Sequence, residues 1–259
     1  MGTLRDRRIE PLLKKLLGTT DLRRLRGREV ASLAAQFAEI SASDYLCQLR
    51  EHFSAREIRG VVAAMEWYVP GFNRRPLRET SLSVLCATAE ELKVGVKAFP
   101  FGRELEDLRG FYVPSPAARK RPTIWLNTRY DRIAVASSFW HEMGHHLVDR
   151  LGEKAKSMQL MFRDDFSAHM SDPAEMIADT MVALACYPKN AALGLFGTHL
   201  KSDREPSPYE LVIGARRHLN AVADFEFEKE FPAGEHLYAL AGMLHYAKLR
   251  WALLAEFWI

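Results

Sequence analysis

Residues 137–151 read SSFWHEMGHHLVDRL, and the placement of their polar side chains decides how the rest of the chain is read. Phe139, Met143 and Leu147 recur every four residues, with Val148 beside them, as an apolar stripe. That spacing predicts a helix from about Asp131 to Leu151, with Gly152 as its stop. Inside it stand His141, Glu142, His145 and His146. Residues four apart share a helix face, so the His141 and His145 imidazoles can converge on one cation. Glu142 is rotated roughly 100° from His141 and flanks such an ion, where it can take a proton from a water molecule. The pattern is H-E-x-x-H, two ligands and a base in five residues. The competing reading is a surface helix with incidental His and Glu. The apolar flanks, FW before and LV after, weigh against it, because a buried carboxylate without a partner is costly and a cation removes that cost. His146 points to a different face from His145. It reads as a packing or rim residue, since a fourth protein ligand would close the water position of a catalytic zinc.

Two histidines leave a catalytic zinc one protein ligand short. The stretch SDPAEMIADTMVALACYP (171–188) makes a second strong helix, capped by Ser171 or Asp172, with Pro173 at its first position and Pro188 beyond its end. It carries Glu175 and, four residues on, Asp179. On one face, Glu175 is expected to bind the metal, while Asp179 accepts the other ring N–H of a ligand histidine and fixes its tautomer. A bland account also exists: carboxylates favour helix N-termini. It suits Asp172 and Glu175, but not Asp179, nearly two turns in. Two His and one Glu suit zinc, with manganese or iron as alternatives.

Upstream of the motif the text alternates. KVGVKAFPF and GFYVP read as short strands, and TIWLN (123–127) has the branched and aromatic content of a buried one. Short strands before a long helix predict a small antiparallel sheet in an α+β, mostly helical fold. Residues 3–69 and the tail from 191 onward are helical in pattern, and PGFNRRP (70–76) is the first clear break. The aromatic tail (Tyr238, Tyr246, Trp251, Phe257, Trp258) reads as a core helix.

The order TIWLN, SSFWHEMGHHL, AEMIADTMVALACYP resembles the ImmA/IrrE-type metallopeptidase domain over about residues 80–190. In that family a buried strand ending in Asn precedes a helix with HExGH, and a later helix reads roughly E-x-x-A-N-x-F-A-x-x-L-L-x-P. Glu175, Ala178, Asp179, Met181, Val182 and Pro188 fall on the second pattern, with Asp179 where Asn is usual. Ser137, Ser138 and Phe139 stand where Phe-Thr is usual, and CYP replaces a leucine-rich end. The resemblance implies a zincin-like (gluzincin) zinc peptidase whose substrates are often helix-turn-helix repressors. It implies His141, His145 and Glu175 as metal ligands and Glu142 as the catalytic carboxylate. It divides the chain into an N-terminal helical region (1–76), a metallopeptidase core (77–190) and a C-terminal helical region (191–259).

Composition narrows the class further. The chain has 259 residues, 36 Lys+Arg against 33 Asp+Glu and a formal net charge of +3, too balanced to argue for nucleic acid by charge. The basic clusters are local: RDRR at 5–8, RRLRGR at 23–28 and RKR at 119–121. Three widely spaced cysteines (Cys47, Cys86, Cys186) form no C-x-x-C pair, which disfavours a disulfide framework. No secretory h-region opens the sequence and no apolar run reaches membrane-spanning length, so a cytoplasmic protein with no membrane partner is expected. Together with what the resemblance implies, the expected function is a cytoplasmic zinc endopeptidase that cleaves a regulatory, repressor-like protein.

The alternative is a non-proteolytic regulatory protein on a zincin-like scaffold, with DNA binding through residues 29–52 as a sub-case. EVASLAAQFAEISASDYLCQLREH reads as helix, break, helix, although Glu39 stands where a turn glycine would be expected. Direct nucleic-acid binding is thus disfavoured but open. His218, His236, His245, Tyr130, Tyr187 and Tyr238 are all chemically able to stabilise an oxyanion, and the sequence does not choose among them.

Overall fold

We analysed a computed structural model, which describes residues 32–36, 47, 49–51, 53–70, 81–106, 108–115, 121–150, 173–223 and 236–259. The break and most of the helix–break–helix reading of 29–52, the Leu151 end and Gly152 stop of the motif helix, the Ser171 or Asp172 cap and most of the 70–76 break lie outside these residues, as do the basic clusters apart from Arg121. Within them the fold is α+β and mostly helical, with one three-stranded sheet.

Helix α1 (Ala55–Tyr68) starts at a reciprocal cap. The Ser54 hydroxyl accepts from the Glu57 amide at 3.3 Å, and the Glu57 carboxylate accepts from the Ser54 amide at 2.9 Å. Ile58, Val62 and Met65 form its buried stripe. Helix α2 (Leu82–Glu91) follows and turns into the sheet through Lys93, whose φ of 59° is left-handed. The strands are β1 (Gly95–Phe99), β2 (Gly110–Val113) and β3 (Thr123–Asn127), in the order β1-β3-β2. The expectation of an antiparallel sheet is corrected: β3 runs antiparallel to β2 but parallel to β1, pairing Gly95 with Thr123 and Gly110 with Leu126. The chain reverses between β1 and β2 without pairing them. It leaves a gap one strand wide, and β3 fills it, so its two neighbours must run in opposite senses. Alternation of residues within a strand carries no information about that crossing.

Asn127 ends β3 and is fully buried. Its amide oxygen accepts from Phe101 and Arg129 amides at 3.2 and 3.1 Å, and its amide nitrogen donates to the Glu106 and Leu108 carbonyls at 3.3 and 2.9 Å. One side chain thereby ties the β1–β2 connection to the turn that launches the next helix. That helix, α3 (Arg132–Arg150), begins where the Asp131 carboxylate accepts from Ile133 and Ala134 amides at 2.8 and 3.0 Å.

Helix α3 packs on β2 and β3 on one side and on α4 (Pro173–Cys186) on the other. Residues Met176 to Tyr187 of α4 and its end are almost all buried, as expected for a helix enclosed on every side. Helices α5 (Lys189–Ser202), α6 (Pro208–Ala223) and α7 (His236–Phe257) complete the fold, and α7 packs against α4, α5, α6 and α1. Trp251 and Phe257 are buried in this layer, whereas Trp258 is exposed. The side chain of Tyr238 lies outside the described residues. Among the described residues, no helix is long and apolar enough to cross a membrane.

Candidate metal centre

The contact between α3 and α4 is set by a residue without a side chain. A Cβ built on Gly144 would stand 2.5 Å from the Ala178 Cα, closer than real carbon atoms approach, and a tight 3.1 Å from its Cβ. Gly144 therefore lets the two helices meet backbone to backbone. It lies between His141 and His145 on one helix, as Ala178 lies between Glu175 and Asp179 on the other. The four polar groups flank the point of closest approach.

There they converge. The His141 and His145 Nε2 atoms are 3.2 Å apart. Glu175 reaches both: Oε2 is 3.0 Å from His141 Nε2, and Oε1 is 3.3 Å from His145 Nε2. Among the described residues, His141, His145 and Glu175 form the group whose ligand atoms all lie within 4.8 Å of one another. Bonds of about 2.0–2.2 Å to zinc place neighbouring ligand atoms of a tetrahedron about 3.3–3.5 Å apart. The closest approaches found here, 3.0 to 3.3 Å, fall near that range, with one Glu175 oxygen towards each imidazole. Two ring nitrogens and a carboxylate facing one another call for a proton or a cation between them, and this donor set fits zinc.

The protonation pattern follows from the same geometry. Burial pulls the His141 pKa down, but the Asp179 and Glu175 carboxylates outweigh it and hold it well above its usual value. Burial works to raise the Glu175 pKa, yet its bonds to His141 and His145 keep it well below the usual carboxylate range. Asp179 is likewise held low against burial, by His141 and then by His245. Its Oδ1 is 3.0 Å from His141 Nδ1, the ring nitrogen facing away from the cluster. That is the relation expected of a carboxylate that fixes a ligand tautomer.

Glu142 lies on a different side of α3, 6% exposed and against the sheet. Burial raises its pKa, and the positive charge of His141 and His145 lowers it. Its hydrogen-bond donor is the backbone amide of Tyr112. In β2 the bonding between Asn127 and Arg109 sets the ladder, so Phe111 and Val113 pair with β3 while the Tyr112 amide faces the sheet's free edge. The carboxylate of Glu142 occupies that edge position.

His146 is apart from the cluster. Its Nε2 is 2.6 Å from the Tyr68 hydroxyl and its Nδ1 is 2.9 Å from the Tyr112 hydroxyl, which donates to Asp149 at 3.1 Å. Burial pulls its pKa down to about 4, so it is neutral at pH 7. The residue thus bolts α3 to α1 and β2. Of the other candidate donors, Tyr130 bonds the Glu106 carbonyl, Tyr187 bonds the Met243 carbonyl and His218 bonds the Cys186 carbonyl. The side chains of His236 and Tyr238 lie outside the described residues. Of the candidates with described side chains, His245 borders the cluster, with Nε2 3.7 Å from Asp179 Oδ2.

Three contributors were not singled out from the sequence: Gly144, the Tyr112 amide and the position of His245. A glycine inside an otherwise apolar helix is a readable sign of close backbone approach. The other two depend on tertiary placement. Comparison with protein-family models, with curated proteins and with solved structures finds no match to this chain.

Proposed function

We propose that this chain is a zinc-dependent endopeptidase with a zincin-like core of the ImmA/IrrE type, acting in the cytoplasm on a regulatory protein of the helix-turn-helix repressor class. The observation that carries the reading is the convergence of His141, His145 and Glu175 at 3.0 to 3.3 Å, with a buried carboxylate, Glu142, beside them. His141, His145 and Glu175 would hold the metal, which when bound supplies Lewis acidity to the scissile carbonyl and lowers the pKa of water towards neutrality. Glu142 accepts the proton from the attacking water and passes it to the leaving amine. Its burial favours this role, because a carboxylate with a raised pKa holds a transferred proton more readily than a solvated one. Asp179 keeps the His141 Nδ1 proton in place, so that Nε2 faces the cluster with its lone pair. The same donor set accommodates manganese or iron. The N- and C-terminal helical regions carry no assigned chemistry in this reading.

The test pairs metal analysis with cleavage. Wild-type protein is expected to hold about one zinc per chain, and His141→Ala or Glu175→Ala to hold almost none. Glu142→Gln is expected to retain the metal while losing cleavage of helix-turn-helix repressors, read by mass spectrometry of the products, by about 10²-fold or more. A wild-type protein that folds and binds no zinc, manganese or iron overturns the metal assignment. An active Glu142→Gln variant overturns the base.

A further inference from the structure

The buried carboxylate of Asp179 has two oxygens, and the metal centre uses one of them. Oδ1 faces His141 Nδ1 at 3.0 Å. Oδ2 faces His245 Nε2 at 3.7 Å. His245 is carried by α7, which packs directly on α4, the helix bearing Asp179. It lies 66 residues beyond Asp179 in sequence, outside the stretch that carries the H-E-x-x-H pattern and the second helix.

We infer that His245 is a positioning residue of the metal centre: it holds the second oxygen of Asp179, and through Asp179 the orientation of His141, so that α7 is part of the site. The inference rests on the reading of His141, His145 and Glu175 as metal ligands. The physical reason is the electrostatic environment of a buried anion. Asp179 is 7% exposed, and a buried carboxylate is held ionised and in orientation by polar or positive groups near both oxygens; at 3.7 Å His245 acts on Oδ2 at ion-pair range, beyond hydrogen-bond distance. With His245 in place, turning the carboxylate about its axis breaks two contacts rather than one. His141 then meets a rigid acceptor, and its Nε2 stays aimed at the cluster.

The arrangement also couples two events. A metal that binds better when His141 is aligned binds better when α7 is seated, and by reciprocity the bound metal holds α7 down. The C-terminal helix is in this sense a reporter of metal loading.

The experiment uses the full chain, with zinc and cobalt ions as probes. His245→Gln places its amide nitrogen near where Nε2 stands, whereas His245→Asn places it near Nδ1, out of reach of Asp179. Zinc affinity is measured by competition with a chromophoric chelator, and the geometry of the site by the visible absorption of the cobalt-loaded protein. His245→Asn is expected to lose about tenfold in zinc affinity and to change the cobalt spectrum, at the low end of what partners behind a ligand contribute. His245→Gln is expected to stay within about threefold of wild type. In an Asp179→Asn background, the His245→Asn change is expected to have almost no further effect, because the two act through one contact. A purely structural role for His245 gives additive losses instead, and that result overturns the inference. So does a His245→Asn protein with wild-type zinc affinity and cobalt spectrum. If wild type itself takes up neither ion, the metal reading fails and this inference with it; loss of the His245 effect alone leaves the metal reading standing.

Discussion

The tightest constraint on the site is the absence of a methyl group at position 144, and Gly144→Ala tests it. The new Cβ would lie 2.5 Å from the Ala178 Cα, and ordinary contact begins at 3.4 Å, so α3 and α4 must part by about 1 Å at that point. The flanking groups move with the helices. His141–Glu175 and His141–Asp179 separations of 3.0 Å open towards about 4 Å, too wide for a tetrahedral zinc face and for a hydrogen bond. Forcing a methyl group into a packed helix contact costs about 1–3 kcal/mol. The better helix propensity of alanine returns at most about 1 kcal/mol. Urea unfolding of the metal-free protein is therefore expected to show a net loss of up to about 2–3 kcal/mol, and chelator competition a zinc affinity reduced by about 10- to 100-fold. Adding Ala178→Gly should not restore either, because it removes the 3.1 Å contact with Cβ and leaves the 2.5 Å contact with Cα. If Gly144→Ala is as stable as wild type or more so, and binds zinc equally well, the backbone-to-backbone account of the site is refuted.

Two further outcomes follow from residues around the cluster. His146 has a pKa of about 4 when folded against 6.5 as a free side chain. The unfolded state therefore binds the proton first, and stability falls as pH drops below 6.5. Between pH 7.5 and 5 the loss from this residue is about 2 kcal/mol, so urea unfolding of His146→Gln should be less stable at pH 7.5 but lose correspondingly less on acidification. An unchanged pH dependence would count against neutral burial of the ring. Asn127→Ala removes four hydrogen bonds and leaves the buried Phe101 amide, the part-buried Arg129 amide and two carbonyls to find new partners. It is expected to cost about 3 kcal/mol or more, measured by chemical denaturation; a loss under about 1 kcal/mol would mean that water takes over the bonds.

The sequence makes the long-range logic of the site readable because helical period and chemistry coincide there. His141 and His145 share a face by spacing alone, and Glu175 with Asp179 repeat that spacing on a second apolar helix. The geometry brings all four to one point without any residue being assigned to the wrong helix. What could not be read is which surfaces meet. The direction of β1 relative to β3 depends on how the chain crosses between strands, and both senses bury the same alternating residues. His245 sits on a helix whose pattern announces burial, but not that one of its faces ends at Asp179. His146 could be set aside as a ligand from its angular position. Its pairing with Tyr68 and Tyr112 needed both partners in space.

Glu142 takes its donor from the peptide backbone of Tyr112, and this has a consequence for how the chain can vary over time. A side-chain partner can be deleted by many single-nucleotide changes. A main-chain amide is common to every residue except proline, so position 112 can drift through most of the amino-acid alphabet without depriving the carboxylate of its donor. What drifts instead is the Tyr112 hydroxyl and its grip on His146, a matter of stability rather than chemistry. The two demands on one residue are written in separable parts of it, and selection can relax the one while the other persists.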